Sequence, residues 1–209
     1  MIKIIIADDH ALVRKGLKQF ILRDMPDTKI TEVDNGNSLL KEVRASIFDL
    51  VISDISMPGR SGLESLKQLK EEFPKLPVLI LSMHPEEQYA LRVLKAGASG
   101  YISKDCVPDE IMKAVRQILS GRKYITPSIA ERLTDNLGED FSDKPHEKLS
   151  DREFEVLKLI GAGKTISEIG NIISLSPNTI STYRLRILEK MILRTNAELI
   201  YYVIANKLI

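Results

Sequence analysis

A single cysteine among 209 residues rules out an intrachain disulfide, and Cys106 with three scattered histidines forms no zinc set at ligand spacing. Cys106 reads as a passive small residue. Proline and glycine are sparse, at nine and eleven, which excludes collagen-like and low-complexity chains. No apolar run reaches the roughly 18 residues of a membrane span; the longest, such as 2–7 and 77–83, fall far short. The start Met1-Ile2-Lys3-Ile4 leads directly to acidic residues without a cleavable apolar segment, so a secretory signal is not expected and the cytoplasm is. A large excess of either charge is also absent, because 30 Lys/Arg against 29 Asp/Glu give a net value of only +1. It is unevenly spread, however. Residues 148–209 hold nine Lys/Arg against six Asp/Glu, a net +3 that leaves −2 for residues 1–147. The basic end is the nucleic-acid candidate.

The length suggests two domains, each with a core of about 100 residues or fewer. Over the first 120 residues, short β-branched runs alternate with helical patterns, as in a parallel sheet flanked by helices. Strands are expected at 3–7, 29–33, 50–53, 78–82 and 100–103, several of them continuously apolar, as strands covered on both faces are. Val13, Leu17, Phe20 and Ile21 form one helical stripe, and Ile111, Val115, Ile118 and Leu119 another. The fold class is therefore a five-stranded doubly wound parallel sheet, flavodoxin-like, with its ligand site beyond the carboxyl ends of the strands.

From Glu131 to Glu147 six acidic residues stand against two basic ones and the periodicity dissolves. The expected boundaries are a first domain at 1–125, a linker at 126–147 whose start can extend a helix from Ser128 to Leu133, and a second domain at 148–209. That second domain reads as all-α with four helices. Ser150 with Glu153, Thr165 with Glu168 and Thr195 with Glu198 are capping boxes, and Ser176-Pro177 adds an N-cap with proline at the first helical position. The short connection at Ser174-Leu175 makes the middle pair a helix-turn-helix.

Asp8 and Asp9 follow the first strand, Asp54 ends the third, Ser82 ends the fourth, and Lys104 follows the fifth, so all converge on one edge of the sheet. Three clustered carboxylates stay ionised around a hard divalent cation, most plausibly Mg²⁺. A hydroxyl and a lysine beside them suit phosphoryl oxygens, with Asp54 as the nucleophile that forms an acyl phosphate. His10, at the start of a helix, is expected to cap or pack and is left outside the site.

Ala7-Asp8-Asp9-His10, Ser53-Asp54-Ile55-Ser56-Met57-Pro58-Gly59, Ser82 and Lys104 resemble the response-regulator receiver domain. The resemblance implies that Asp8, Asp9 and Asp54 bind Mg²⁺ together with the backbone carbonyl of Ser56. It implies also that Asp54 is the phosphoacceptor and that Ser82 and Lys104 grip the phosphoryl group. Ser82 and Tyr101 match the family's switch pair, although plain strand packing explains Tyr101 equally well. Met83 is larger than the residue common in many receivers, which suggests narrowed access to the phosphoryl group.

Leu149-Ser150-Asp151-Arg152-Glu153, Gly163-Lys164-Thr165, Ser174 to Ile180 and Lys190-Met191 resemble the LuxR-type helix-turn-helix, and the pairing of modules resembles the NarL/FixJ class of transcriptional regulators. In the helix from Pro177 to Met191, Ile180, Ile187, Leu188 and Met191 face the core. Asn178, Thr182, Leu185 and Glu189 lie opposite, flanked by Ser181 and Arg186, and are placed to enter a major groove. Arg184, Arg186 and Lys190 are expected at phosphates, as are Lys164 and Thr165 at the start of the preceding helix. Ser181, Tyr183 and Met191-Ile192 depart from the residues many members carry. They leave a weakly charged groove face and modest affinity for a monomer.

The resemblance thus implies a phosphorylation-dependent, non-enzymatic transcriptional regulator. Its partners would be a sensor histidine kinase, double-stranded promoter DNA, RNA polymerase and a second copy of itself, met through the outer face of the last helix. A fully intramolecular role for that helix stays open. The alternatives are a regulator that never uses phosphate and an Mg²⁺-dependent phosphatase with an aspartyl nucleophile. The latter needs a second aspartate two positions after the nucleophile, where this chain has Ser56.

Overall fold

The computed structural model describes residues 1–58, 60–83, 86–105, 108–135 and 144–209. Cys106 and Gly59 lie outside the described residues, as does the middle of the expected linker, 136–143. The chain divides into two compact units, Met1–Leu133 and Thr134–Ile209.

In the first unit the strands β1 (Ile2–Ala7), β2 (Thr28–Val33), β3 (Leu50–Asp54), β4 (Val78–Ser82) and β5 (Gly100–Ser103) form one parallel sheet in the order β2-β1-β3-β4-β5. They alternate with α1 (Ala11–Asp24), α2 (Gly36–Ala45), α3 (Gly62–Glu72), α4 (Glu86–Lys95) and α5 (Pro108–Leu119). Every residue of β3 and β4 is buried, which explains why these strands read as unbroken apolar runs. Ile4, Ile6, Leu50, Ile52, Leu79, Leu81 and Ile102 on one face pack with Leu17 and Ile21 of α1 and Met112, Val115 and Ile118 of α5. Each such side chain removed from water contributes about 1.5–3 kcal/mol. Leu39, Val43, Leu63, Leu66, Leu69 and Val93 are among the buried residues of α2, α3 and α4. The order reverses between β1 and β3, so the crevice beyond the ends of these two strands is the topological switch point.

The sequence boundary at 125 needs correction. Tyr124 bridges to Gly100 at the sheet edge, and α6 (Pro127–Asp135) follows with Ile129 buried. Thr126 and Ser128 both donate hydroxyl hydrogen bonds to one carboxylate oxygen of Glu86 in α4, at 2.7 and 2.6 Å. The start of the expected linker is therefore part of the first unit. Its end belongs to the second: Pro145–Lys148 is a 3₁₀ turn in which buried His146 stacks on Phe154 and meets the Tyr202 hydroxyl at 2.7 Å.

The second unit consists of α7 (Asp151–Gly161), α8 (Ile166–Ile173), α9 (Pro177–Met191) and α10 (Asn196–Ala205). All three expected capping boxes form, and the Ser176 side chain accepts from the Thr179 N–H. The turn between α8 and α9 passes through Ser174 at φ 56°. There the Leu175 carbonyl approaches so closely that a Cβ on Gly170 would stand 2.6 Å from it. No helix of the described residues is long and apolar enough to cross a membrane.

Candidate functional site

The carboxyl ends of β1, β3, β4 and β5 bring the expected residues together. Asp8 continues the β1 direction, its N–H donating to the Val33 carbonyl at 3.2 Å, and the Lys104 N–H donates to the Ser82 carbonyl at 2.8 Å. Asp54 closes β3. α3 packs against the backbone that follows, so closely that a Cβ on Gly62 would lie 1.9 Å from the Asp54 carbonyl oxygen. Ser82 and Tyr101 are completely buried. Because its neighbour Ile102 faces the α1/α5 core, strand alternation turns Tyr101 to the opposite face.

The side chains of Asp8, Asp54 and Lys104 are only 1%, 3% and 7% exposed. The Lys104 ammonium stands 2.6 Å from Asp8 Oδ2 and 2.8 Å from Asp54 Oδ2. Burial pushes the Asp54 carboxyl above the usual carboxylate range and Asp8 adds to this, while Lys104 and the Ser56 N–H oppose it without cancelling it. Burial alone would lower the Lys104 ammonium, but hydrogen bonds to Asp54 and Asp8 outweigh it and hold the group above its ordinary value. Ser56 thus meets Asp54 through its backbone, as a donor.

One atom each from Asp8, Asp9, His10 and Asp54 lies within 4.8 Å of the others. Three carboxylates against one ammonium leave an excess of negative charge beside hard oxygen donors, the chemistry that suits a divalent cation such as Mg²⁺.

His10 corrects the sequence reading. It occupies the N-cap position of α1 but makes no side-chain cap, and the ring is exposed instead of packed. Its Nδ1 lies 2.8 Å from Asp9 Oδ1 and 3.2 Å from Asp8 Oδ1, because two adjacent carboxylates attract the imidazole more strongly than one helix amide does. The signal was its place directly after the aspartate pair.

In the second unit Ile180, Ile187, Leu188 and Met191 are buried and Asn178, Thr182, Leu185, Arg186 and Glu189 exposed, with Ser181 and Arg184 between. The outward face of α9 is the one expected. Arg184 donates to Asn196 Oδ1 at 3.0 Å, whereas Lys190 lies 2.7 Å from Glu153 Oε2. Lys164 and Thr165 are exposed at the start of α8. There the capping box already engages the amides of Thr165 and Glu168. On α10, Leu199 and Val203 face the core while Tyr201 and Ile204 stay exposed.

Comparison with known proteins agrees with this geometry. Residues 4–116 match the response regulator receiver domain, and residues 147–203 match the bacterial regulatory proteins of the luxR family. The chain is 33% identical to Response regulator UvrY of Escherichia coli, over 100% of this chain and 96% of that one. It is 34% identical to Response regulator GacA of Pseudomonas aeruginosa, over 95% and 94%. Among solved structures it resembles RcsB from Salmonella enterica serovar Typhimurium bound to promoter rprA in the presence of the phosphomimetic BeF3-. That likeness has a TM-score of 0.64 and 25% identity, and covers 97% of this chain and 98% of that one.

Proposed function

The chain belongs to the NarL/FixJ-type response regulators, two-component transcriptional regulators in which a receiver domain is joined to a LuxR-type DNA-binding domain, and on that premise we propose how its residues divide the work. Asp54 is the phosphoacceptor. One of its carboxylate oxygens attacks the phosphorus of a phosphohistidine on a sensor kinase, an O–P bond forms, and the P–N bond breaks as the electron pair returns to the departing imidazole. Lys104, already within 2.8 Å of Asp54, and the Ser82 hydroxyl receive phosphoryl oxygens. Asp8, Asp9, Asp54 and the Ser56 carbonyl would hold Mg²⁺, which when bound supplies positive charge to those oxygens. Tyr101 and Ser82 form the switch pair that changes the surface near α4 and β5.

The observation that carries this reading is the Lys104 ammonium shared between buried Asp54 and Asp8. It keeps the acceptor beside a fixed cation at the mouth of the sheet. Ser56 stands where a phosphatase needs its acid, so only slow self-hydrolysis of the acyl phosphate follows. On the DNA side, Asn178, Ser181, Thr182 and Leu185 read base edges and thymine methyls, while Lys164, Thr165, Arg184 and Arg186 meet phosphates. The exposed Tyr201 and Ile204 of α10 serve homodimer formation, and promoter-bound dimers in the cytoplasm contact RNA polymerase.

The test is intact mass and DNA-fragment binding after incubation with acetyl phosphate and Mg²⁺, for wild type and Asp54→Ala in parallel. A phosphoryl adduct on wild type alone, with tighter DNA binding, is the expected result. No adduct on wild type, with DNA binding indifferent to the donor, overturns the reading.

A further inference from the structure

Lys190 stands in the last turn of α9, where a cation is expected to reach a DNA phosphate. Its surroundings point elsewhere. The ammonium lies 2.7 Å from Oε2 of Glu153, whose side chain is only 3% exposed. The same oxygen accepts the Ser150 N–H at 2.7 Å, and the Glu153 N–H donates to Ser150 Oγ at 3.3 Å. Glu153 therefore closes the capping box of α7 and holds the end of α9 with a single carboxylate. Burial works to raise this carboxyl, but Lys190 and Ser150 overcome it and keep the group below its usual range.

The buried part of α9's seat is otherwise apolar, Ile180, Ile187, Leu188 and Met191, and the hydrogen bond of Arg184 to Asn196 lies at the exposed surface. Dispersion and burial are non-directional, so such a stripe tolerates sliding and small rotation. A charge-assisted hydrogen bond to a buried, fixed acceptor does not. Two residues beyond Leu188, Lys190 makes the directional contact to a buried acceptor that fixes the carboxyl-terminal end of the helix presenting Asn178, Ser181, Thr182 and Leu185.

We propose that Lys190 is a positioning residue for DNA recognition, acting through Glu153 and Ser150 at the start of α7, and that it does not contact DNA phosphate. The inference rests on the DNA-binding reading of α9. It divides the cations of this helix into two kinds: Arg186 contributes counterion release, whereas Lys190, although also exposed, is held by Glu153 and contributes orientation.

The full chain, treated with acetyl phosphate and Mg²⁺, is used to enrich a duplex from a random-sequence library. Affinity for that duplex is then measured across a salt series. Glu153→Gln is the discriminating variant, because glutamine at this position preserves the capping box while removing the negative charge that holds Lys190. The expected result is a loss of roughly three- to tenfold in affinity with an unchanged slope of log K against log salt. Lys190→Met should lose affinity likewise at unchanged slope, and Lys190→Arg should restore it. Arg186→Ala should lower the slope by about 0.9, one phosphate contact.

Two results overturn the proposal. One is Glu153→Gln binding as tightly as wild type or more tightly, with a steeper slope; the other is Lys190→Met reducing the slope by about 0.9. If wild type enriches no duplex at all, the DNA-binding reading fails first and takes the proposal with it. If wild type binds and Glu153→Gln matches it, the proposal alone fails.

Discussion

Asp54 shares its nearest cation with Asp8: the Lys104 ammonium sits 2.8 Å from Oδ2 of the first and 2.6 Å from Oδ2 of the second. One positive charge thus compensates two buried carboxylates. Removing a partner from such a group costs more than the pair itself contributes, because an uncompensated charge stays behind. Lys104→Met should accordingly lose about 3–5 kcal/mol of unfolding free energy in chelator-containing buffer. Millimolar Mg²⁺ should return part of that loss by binding the folded state alone. Urea denaturation with and without Mg²⁺ checks both halves. A variant as stable as wild type in chelator would show that the carboxylates are not held ionised by Lys104.

The raised Asp54 carboxyl gives stability a pH dependence of definite sign. Between the unfolded pKa of about 3.9 and the higher folded one, the folded state binds more proton than the unfolded state. Stability therefore falls as pH rises through that window and the full penalty stands above it. Asp54→Asn has no such proton to lose. Without divalent metal it should match wild type near the bottom of the window and exceed it at pH 7. Urea midpoints over a pH series measure the difference. An asparagine variant less stable at pH 7 would mean that the ion pair with Lys104 outweighs burial.

Met83 follows the buried Ser82 directly and is 62% exposed, so it lies at the surface next to the end of β4 without filling the core. Met83→Ala should open a water path to the phosphoryl group and speed autodephosphorylation by several-fold, at little cost in folding stability. Loss of the phosphoryl mass over time, after removal of the donor, reads this directly. An unchanged rate removes Met83 from any role in access.

Ile192 caps α9 at φ 56°, a left-handed conformation that a β-branched residue adopts only under strain. It is also 89% exposed, so no packing offsets that cost. Ile192→Gly should stabilise the second unit by about 1 kcal/mol, raising its thermal midpoint by about 4–8 °C. Differential scanning calorimetry of the full chain would show the shift in one transition. A lower midpoint would mean that the exposed side chain does stabilising work elsewhere.

Much of this molecule was legible in residue order because its signals are local or repeat along an element. The strands announced themselves through runs such as Val78–Ser82, buried on both faces, and strand ends place Asp8, Asp54, Ser82 and Lys104 on one edge without further information. Capping boxes need only four consecutive residues, so the helix starts at 150, 165 and 195 were readable. The box at Ser61 and Glu64 carries the same signature. Pairings between distant polar residues leave no such trace. Glu86 meets hydroxyls 40 and 42 positions later, and Glu153 meets Lys190 37 positions later; nothing in the intervening sequence marks either. At His10 the helix position implies a cap, whereas the local field of two carboxylates decides where the ring points.

The attachment of Thr126 and Ser128 to Glu86, with Ile129 buried beside them, bears on how this receiver can be grafted. A chimera joined at residue 125 would discard both hydroxyl donors and leave the site of Ile129 open to solvent, lowering the yield of folded product. A junction placed after Leu133, where the first unit ends, carries the whole module to a new output domain.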